Sequence, residues 1–183
     1  IHVEFSPDLV AMVLDPGSGL DARITSMRRH IVESYGLILP EIRLTDNGAL
    51  PESSYVIRIQ GVEEARDRLR PERVLALQAD ATALLPAGED VREPVFGAPA
   101  RWVHPEAREG LALAGVTLVN ASEVLATHLL EVIRRNLGRL LTHKALRRIL
   151  DEMGRLTDPE RAAANRRLLD EMIPEKVPMD LLL

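Results

Sequence analysis

Residues 20–36 read LDARITSMRRHIVESYG, a stretch in which an apolar side chain recurs at every third or fourth position. The recurring positions are Leu20, Ile24, Met27, Ile31 and Tyr35. This spacing predicts an amphipathic helix that buries one face. Ser18 and Asp21 resemble a capping box at the start of the helix, and Gly36 is placed as a cap at its end.

The segments before this helix are predicted to be strands. Residues 2–5 alternate polar and apolar side chains, which is the period of a half-buried strand. Leu9–Leu14 is a continuous apolar run that ends at the turn Asp15-Pro16-Gly17. An apolar run bounded by a turn is typical of a more deeply buried strand.

Further strands are predicted after the helix. Residues 41–44 alternate charged and apolar side chains, and the turn Asp46-Asn47-Gly48 follows them. Residues 55–60 alternate again, and Val74–Leu77 is a short apolar strand beyond the charged stretch Glu63–Arg73. The order of strand, helix and strands predicts an open α/β sheet with a helix packed on it.

Residues 78–105 have a different character, because prolines and glycines interrupt any regular period. Long irregular segments are uncommon and are often functional. Residues 93–102, EPVFGAPARW, hold one of the two phenylalanines and the only tryptophan of the chain. Large aromatic side chains in such a loop either fill a local core or form a binding hot spot. Taken alone, the segment favours core filling.

The rest of the chain is predicted to be mainly helical. A short helix is predicted at Pro105–Ala114 and a strand at Val116–Val119. Asn120 or Ser122 then caps a longer helix. The apolar stripe of that helix is Leu125, Leu129, Val132, Ile133 and Leu137. Two further helices are predicted within residues 142–173.

The composition limits the classes of function. The chain is 46% hydrophobic and 28% charged, which is ordinary for a folded domain. Its net charge of −5 argues against nucleic-acid binding. The absence of cysteine removes disulfides, thiolate zinc sites and cysteine nucleophiles. No apolar stretch reaches the ~18–20 residues that span a bilayer.

The motifs of common active sites are also missing. The histidines at positions 2, 30, 104, 128 and 143 show no helical zinc spacing, and no Gly-x-Ser-x-Gly elbow occurs. Gly17-Ser18-Gly19 precedes a helix, but neither a P-loop lysine nor the Rossmann spacing accompanies it. His128 is interpreted as a satisfied, half-buried side chain. We therefore predict no catalytic, cofactor or metal site, and a protein that is not an enzyme.

Three segments in a fixed order carry a resemblance to a known family. They are EPVFGAPARW at 93–102, AGVTLV at 114–119, and VLATHL at 124–129 followed by EVIR at 131–134. Residues 42–47, 55–62 and 69–76 contribute to the same similarity. The chain resembles the cytoplasmic domain of the FlhA family, the large export-gate proteins of flagellar and virulence type III secretion, over about residues 1–183.

The resemblance implies an α/β (α+β) fold in three subdomains. Residues 1–71 and 121–140 form the first, a small mixed sheet with packed helices. Residues 72–120 form an inserted, smaller α/β subdomain, and residues 141–183 are part of a helical third one. Both ends are interpreted as cuts in a longer protein, whose missing N-terminal part alone enters the membrane. The parent is then expected in the bacterial inner membrane, with this chain on the cytoplasmic side.

The resemblance also implies a function, namely docking of export chaperones with their bound substrates. Family members use a shallow hydrophobic dimple for this, and the matching positions are Glu93, Phe96 and Thr127. The acid is usually aspartate in the family, so Glu93 is a departure. The parent is expected to bind other export-apparatus proteins and to form a homo-oligomeric ring, and the Pro-Val-Phe-Gly form of the loop favours a flagellar system. The alternatives are an α/β small-molecule-binding or enzymatic domain with an unrecognised site, and a structural spacer.

Overall fold

A computed structural model describes most of the chain. The described residues are 1–17, 19–35, 37–78 and 85–140, together with 163 and 167. The chain divides into two compact units. The first consists of Ile1–Met27 and Ile42–Arg134, and the second of Arg28–Glu41 and Arg135–Leu183.

The first unit contains a mixed four-stranded sheet. Its strands are β1 (His2–Phe5), β2 (Arg43–Asp46), β3 (Ser54–Ile59) and β4 (Val62–Arg68), in the order β2-β1-β3-β4. The β1–β2 pair is parallel and the other pairs are antiparallel. This arrangement confirms the α+β class and the mixed sheet predicted for this part of the chain.

The two faces of this sheet differ in polarity. Val3 pairs with Ile57 and Phe5 with Tyr55, and all four side chains are buried. On the opposite face, Glu4 accepts hydrogen bonds from Asn47 Nδ2 and Arg58 Nε, each at 2.8 Å. Arg58 also pairs with Glu63 on β4 at 3.4 Å. The sheet therefore has one core face and one face covered by a network of charged side chains.

The predicted strand at Leu9–Leu14 is wrong. Residues Pro7–Leu9 form a 3-10 turn, and α1 (Val10–Val13) continues it. Within the turn and α1, only Leu9 and Val13 are buried, four positions apart as on one helix face. A continuous apolar run carries no period, so it cannot separate a strand from a buried helix. Pro7 at the first turn position is the signal for a helical start.

The central prediction of a helix after residue 18 is confirmed as α2 (Leu20–Tyr35). Four of its five stripe positions are buried, whereas Tyr35 is 49% exposed. The predicted caps at Ser18 and Gly36 lie outside the described residues.

Strand β4 is a missed element in the charged stretch after residue 62. It is an edge strand, where exposed charges are normal and hide the alternation that marks a half-buried strand.

A second four-stranded sheet follows, and all of its pairs are antiparallel. Its strands are β5 (Val74–Leu77), β6 (Gly88–Arg92), β7 (Pro99–Val103) and β8 (Leu118–Asn120), in the order β6-β7-β5-β8. The prediction that 78–105 lacks regular structure is therefore wrong for β6 and β7. Pro99 is the first residue of its strand, a position that tolerates proline. Gly88 is required because a Cβ there would meet the backbone oxygen of Trp102.

Strand β5 of the second sheet is apolar on both of its faces. Val74, Ala76 and Val103 pack with Leu111 of α3 (Arg108–Leu113) in a core of their own. A 3-10 turn, Pro105–Ala107, leads into α3, in agreement with the predicted short helix. The alternate residues of β5 point to the opposite face. This two-sided burial explains why β5 is a continuous apolar run rather than an alternating one.

Helix α4 (Ala121–Arg135) begins directly after β8. Asn120 Oδ1 accepts the backbone N–H of Glu123 at 2.8 Å, and Glu123 Oε2 accepts the N–H of Asn120 at 3.0 Å. This reciprocal pair is a capping box, which identifies Asn120 rather than Ser122 as the cap. The predicted stripe is buried from Leu125 to Ile133.

In the second unit, Leu137 belongs to a separate short helix, α5 (Leu137–Leu140). The helices predicted within 142–173 lie outside the described residues, apart from positions 163 and 167, which are helical and exposed. The subdomain bounds 1–71 with 121–140, 72–120 and 141–183 stay a prediction. Among the described helices, none is both long and apolar enough to cross a membrane.

The network on the polar sheet face predicts an acid-dependent stability. The hydrogen bond from Asn47 and the guanidinium of Arg58 hold the pKa of Glu4 below its usual value. A lowered native pKa stabilises the fold above the unfolded pKa of about 4.3, and this contribution is lost as pH falls through the native pKa. Glu4→Gln is expected to lower the free energy of unfolding by about 1–2 kcal/mol at neutral pH.

Urea unfolding at several pH values tests this expectation, with the exposed Glu72→Gln as the matched control. The cost of Glu4→Gln should shrink as the pH is lowered below the usual glutamate pKa, while the control stays near zero throughout. A cost that is the same at neutral and acidic pH would show that Glu4 stabilises the fold through packing rather than charge.

Candidate functional site

The loop between β6 and β7 presents a large aromatic side chain to solvent. The two strands pair antiparallel and close at Arg92 and Pro99, so residues 93–98 form the tip of a hairpin. Phe96 lies in this tip with 76% of its surface exposed. Trp102, on β7, is only 3% exposed. The two aromatics of the segment thus have different roles, with Trp102 filling the core and Phe96 left at the surface.

Glu93 organises the loop from inside. Its side chain is buried, and its carboxylate accepts the backbone N–H groups of Val95 at 2.8 Å and Phe96 at 2.6 Å. A longer bond of 3.3 Å comes from the N–H of Ala98. The Glu93 carbonyl accepts the N–H of Gly97 at 3.0 Å. One acidic residue therefore holds most of the loop backbone.

Two further contacts close the hairpin tip. Arg92 donates from Nη1 to the carbonyl of Gly97 at 2.9 Å, and the N–H of Glu93 donates to the carbonyl of Ala98 at 2.9 Å. Gly97 has a φ of +71°, in the left-handed region that favours glycine. The tight turn after Phe96 therefore depends on Gly97.

An apolar pocket of about 180 Å³ opens beside this loop. Its walls come from β5, the 93–98 loop, β8 and α4. The lining residues are Leu75, Leu77, Glu93, Pro94, Val95, Phe96, Ala98, Val119, Val124 and Thr127. Apart from Glu93 and Thr127, every lining residue is apolar, so the pocket offers contact surface rather than an array of polar groups.

The structure brings the three predicted site residues to this one pocket. Phe96 and Thr127 are exposed at it, whereas Glu93 is buried beneath the loop. Sequence reasoning missed the aliphatic walls from β5 and β8. Their signal was present, since Leu75 and Leu77 alternate with the core residues of an apolar strand, but no pattern in the sequence reveals which strands pair.

Helix α4, which carries Thr127, is tied to the first sheet. The Tyr55 hydroxyl and His128 Nδ1 form a buried hydrogen bond of 2.7 Å, with the rings edge-to-face at a centroid distance of 5.8 Å. Burial, with the carboxylate of Asp67, raises the pKa of Tyr55 well above its usual value, so the phenol stays protonated. His128 is hydrogen-bonded, as interpreted from the sequence, but it is buried rather than half-buried. Arg23 of α2 adds an ion pair with Glu123 at 3.0 Å.

Few polar groups line the pocket among the described residues. In ranges 1–17, 19–35, 37–78 and 85–140, no group of His, Asp or Glu side chains is arranged to hold a metal ion. The carboxylate of Glu93, which lines the pocket, already accepts backbone N–H groups from its own loop. What the site can offer a partner is therefore an exposed aromatic ring, an aliphatic cleft and the Thr127 hydroxyl.

Comparison with known proteins gives a consistent match. The model of the FHIPEP family matches residues 1–183. The flagellar biosynthesis protein FlhA of Yersinia enterocolitica is 37% identical over 164 residues, 86% of this chain and 24% of that protein. FlhA of Caulobacter vibrioides is 30% identical over 178 residues, 97% of this chain and 24% of that protein. The chain thus spans about a quarter of the length of these relatives.

A solved structure has the same fold. Chlamydia pneumoniae CdsV, in a complex with CdsO, superimposes with a TM-score of 0.78 at 21% sequence identity. The match covers 99% of this chain and 55% of that chain. At this identity the likeness establishes the fold alone, and it agrees with the α+β class predicted from the sequence.

The link between Tyr55 and His128 predicts a stability effect at the base of the site. Tyr55→Phe removes the hydroxyl and leaves the buried Nδ1 of His128 without this partner. Such a loss typically costs about 1–3 kcal/mol in the free energy of unfolding. Denaturant unfolding measures it, with Tyr35→Phe as a control, because Tyr35 is 49% exposed. Equal stability of the two variants would mean that this bond does not hold α4.

Proposed function

The chain belongs to the FHIPEP family, and from this membership we propose that it is part of the cytoplasmic docking domain of a flagellar or type III protein-export gate. The membership confirms the resemblance carried by residues 93–102 and 124–134. The proposed activity is the binding of chaperone–substrate complexes for ordered export. The observation that carries it is the exposed Phe96 beside an open apolar pocket.

The chemistry of the pocket favours a protein partner. An exposed aromatic next to an aliphatic cleft is the arrangement that anchors an amphipathic helix or an apolar side chain of another protein. Truncating such an anchor typically costs more than ~1 kcal/mol of binding. Phe96 supplies the anchor, and the exposed Thr127 supplies a hydroxyl at the edge of the contact.

The alternative of a small-molecule or enzymatic site has less support. Sites for drug-sized ligands enclose about 300–1,000 Å³ and hold several convergent polar groups. This pocket measures about 180 Å³, and among its described lining residues Glu93 alone is titratable. A structural spacer has less support as well, because it gives no reason for an aromatic ring that is 76% exposed.

The setting of the parent protein is also proposed from the family. We place the parent in the bacterial inner membrane with this chain on the cytoplasmic side, in a homo-oligomeric ring that contacts other export-apparatus proteins. The fold neighbour Chlamydia pneumoniae CdsV forms a complex with a second protein, CdsO. A flagellar system is favoured because the relatives from Yersinia enterocolitica and Caulobacter vibrioides are flagellar biosynthesis proteins. Neither nucleic acid nor a cofactor is part of the proposal.

Phe96→Ala tests the proposed docking site. The affinity for an export chaperone–substrate complex of the source bacterium, measured by calorimetric titration, should fall by at least about tenfold. Leu113→Ala is the matched control, because Leu113 is an apolar side chain that is 91% exposed on α3. The fold should survive both changes, which thermal unfolding checks. Equal affinities of wild type, Phe96→Ala and Leu113→Ala would remove the site from this pocket.

Thr127→Val separates the two parts of the threonine side chain. The substitution keeps the shape of the side chain and removes its hydroxyl, so a lost hydrogen bond to the partner should cost about 0.5–1.5 kcal/mol of binding. The same titration measures this change. An affinity equal to that of the wild type would limit Thr127 to an apolar contact.

A further inference from the structure

We infer that Glu93 is a positioning residue, whose carboxylate fixes the loop that presents Phe96 and does not itself bind the partner. This inference rests on the proposed docking function and assigns one of its three residues a different role. The resemblance to the FlhA family only matches Glu93 to an acid at the edge of the dimple. The contacts of this side chain point inward instead.

Glu93 supplies hydrogen-bond acceptors for all four backbone N–H groups of residues 95–98. Pro94 and Pro99 have no N–H, and the N–H groups of residues 95–98 between them all donate to Glu93. Those of Val95, Phe96 and Ala98 reach the carboxylate, and that of Gly97 reaches the carbonyl. Buried backbone N–H groups require a partner, which a sheet or helix supplies elsewhere. In this hairpin tip, one acidic residue supplies it.

The carboxylate has little capacity left for a docked protein. Glu93 is 8% exposed, and both of its oxygens already accept backbone N–H groups. A partner group that bonded it directly would have to reach a buried carboxylate that already accepts three backbone N–H groups. Phe96, three positions further on, is 76% exposed and free of such a constraint. Burial therefore separates the residue that holds the loop from the residue that contacts the partner.

Holding the loop in the free protein lowers the cost of binding. A loop that must be ordered on association loses conformational entropy at that step, whereas a preorganised loop has lost it already. Bonds from N–H groups to a carboxylate are charge-assisted and stronger than those to a neutral oxygen. Glu93→Gln would replace one carboxylate oxygen by an NH₂ group. This donor would face a backbone N–H, which is also a donor, so that hydrogen bond would be lost. Glu93→Asp would keep the negative charge, but its side chain is shorter by one methylene group.

Amide hydrogen exchange of the free 183-residue chain tests the loop role without any partner. In Glu93→Gln, the amides of Val95, Phe96 and Ala98 should exchange at least about tenfold faster, while those of β7 keep their protection. Glu109→Gln is the control for loss of charge, because Glu109 lies exposed on α3. Unchanged exchange at all three loop amides would overturn the inference.

Titration with the same chaperone–substrate complex then links the loop to binding. Affinity should fall roughly 5- to 30-fold in Glu93→Gln, and Glu93→Asp should lie between it and the wild type, in the same rank order as the exchange rates. The ratio of wild-type to Glu93→Gln affinity should not change between low and high salt, since no charge contact with the partner is lost. Faster exchange with unchanged affinity, weaker binding with unchanged exchange, or a salt-dependent ratio would each overturn the positioning role.

The two proposals fail in different ways. If Phe96→Ala leaves the affinity unchanged, docking at this pocket is wrong, whatever the exchange rates are. If Phe96→Ala weakens binding but Glu93→Gln changes neither exchange nor affinity, docking stands and the positioning role is wrong.

Discussion

Strand β5 is the constraint on which the site depends, because it pairs with β7 along one edge and with β8 along the other. The pairing of Leu77 with Ala100 brings the 93–98 loop to the end of β5, and the pairing of Leu75 with Val119 brings in the strand that leads directly into α4. Since alternate residues of β5 face opposite sides, the strand contributes to a closed core with α3 and also to the open pocket. Segments that are distant in sequence meet only because this one strand lies between them.

Polar contacts beneath the apolar surface hold the two walls of the pocket, helix α4 and the 93–98 loop. The buried bond between Tyr55 and His128 ties α4 to the first sheet, and the capping box at Asn120 fixes the start of that helix. The Glu93 carboxylate fixes the loop by accepting the backbone N–H groups of Val95 and Phe96. Polar side chains in this region thus serve the backbone and the packing of elements, while the surface left for a partner is mainly apolar.

Local periodicity was sufficient for the elements with one buried face, such as α2, β1 and α4. It failed where both faces are alike. Leu9–Leu14 is uniformly apolar and forms a turn and a helix, while Val62–Arg68 is an exposed edge strand whose charges mask it. It failed again for β6 and β7, where prolines and glycines suggested a loop but stand at positions that a hairpin tolerates.

The site itself was predicted by family resemblance and not by local pattern. Nothing in the spacing of Glu93, Phe96 and Thr127 shows that they share a pocket, because that depends on the pairing of β5. The inward role of Glu93 depends on the loop geometry, which the sequence does not display.

The central claim is that a partner docks on the apolar surface between the hairpin loop and α4. Methyl NMR of the chain, titrated with the chaperone–substrate complex, tests it most directly. If the partner docks there, the methyl resonances of Leu75, Val119, Val124 and Thr127 shift or broaden, while those of Val103 and Leu111 in the opposite core stay unchanged. Binding that leaves the pocket methyl groups unperturbed, with shifts confined to other surfaces, would contradict it.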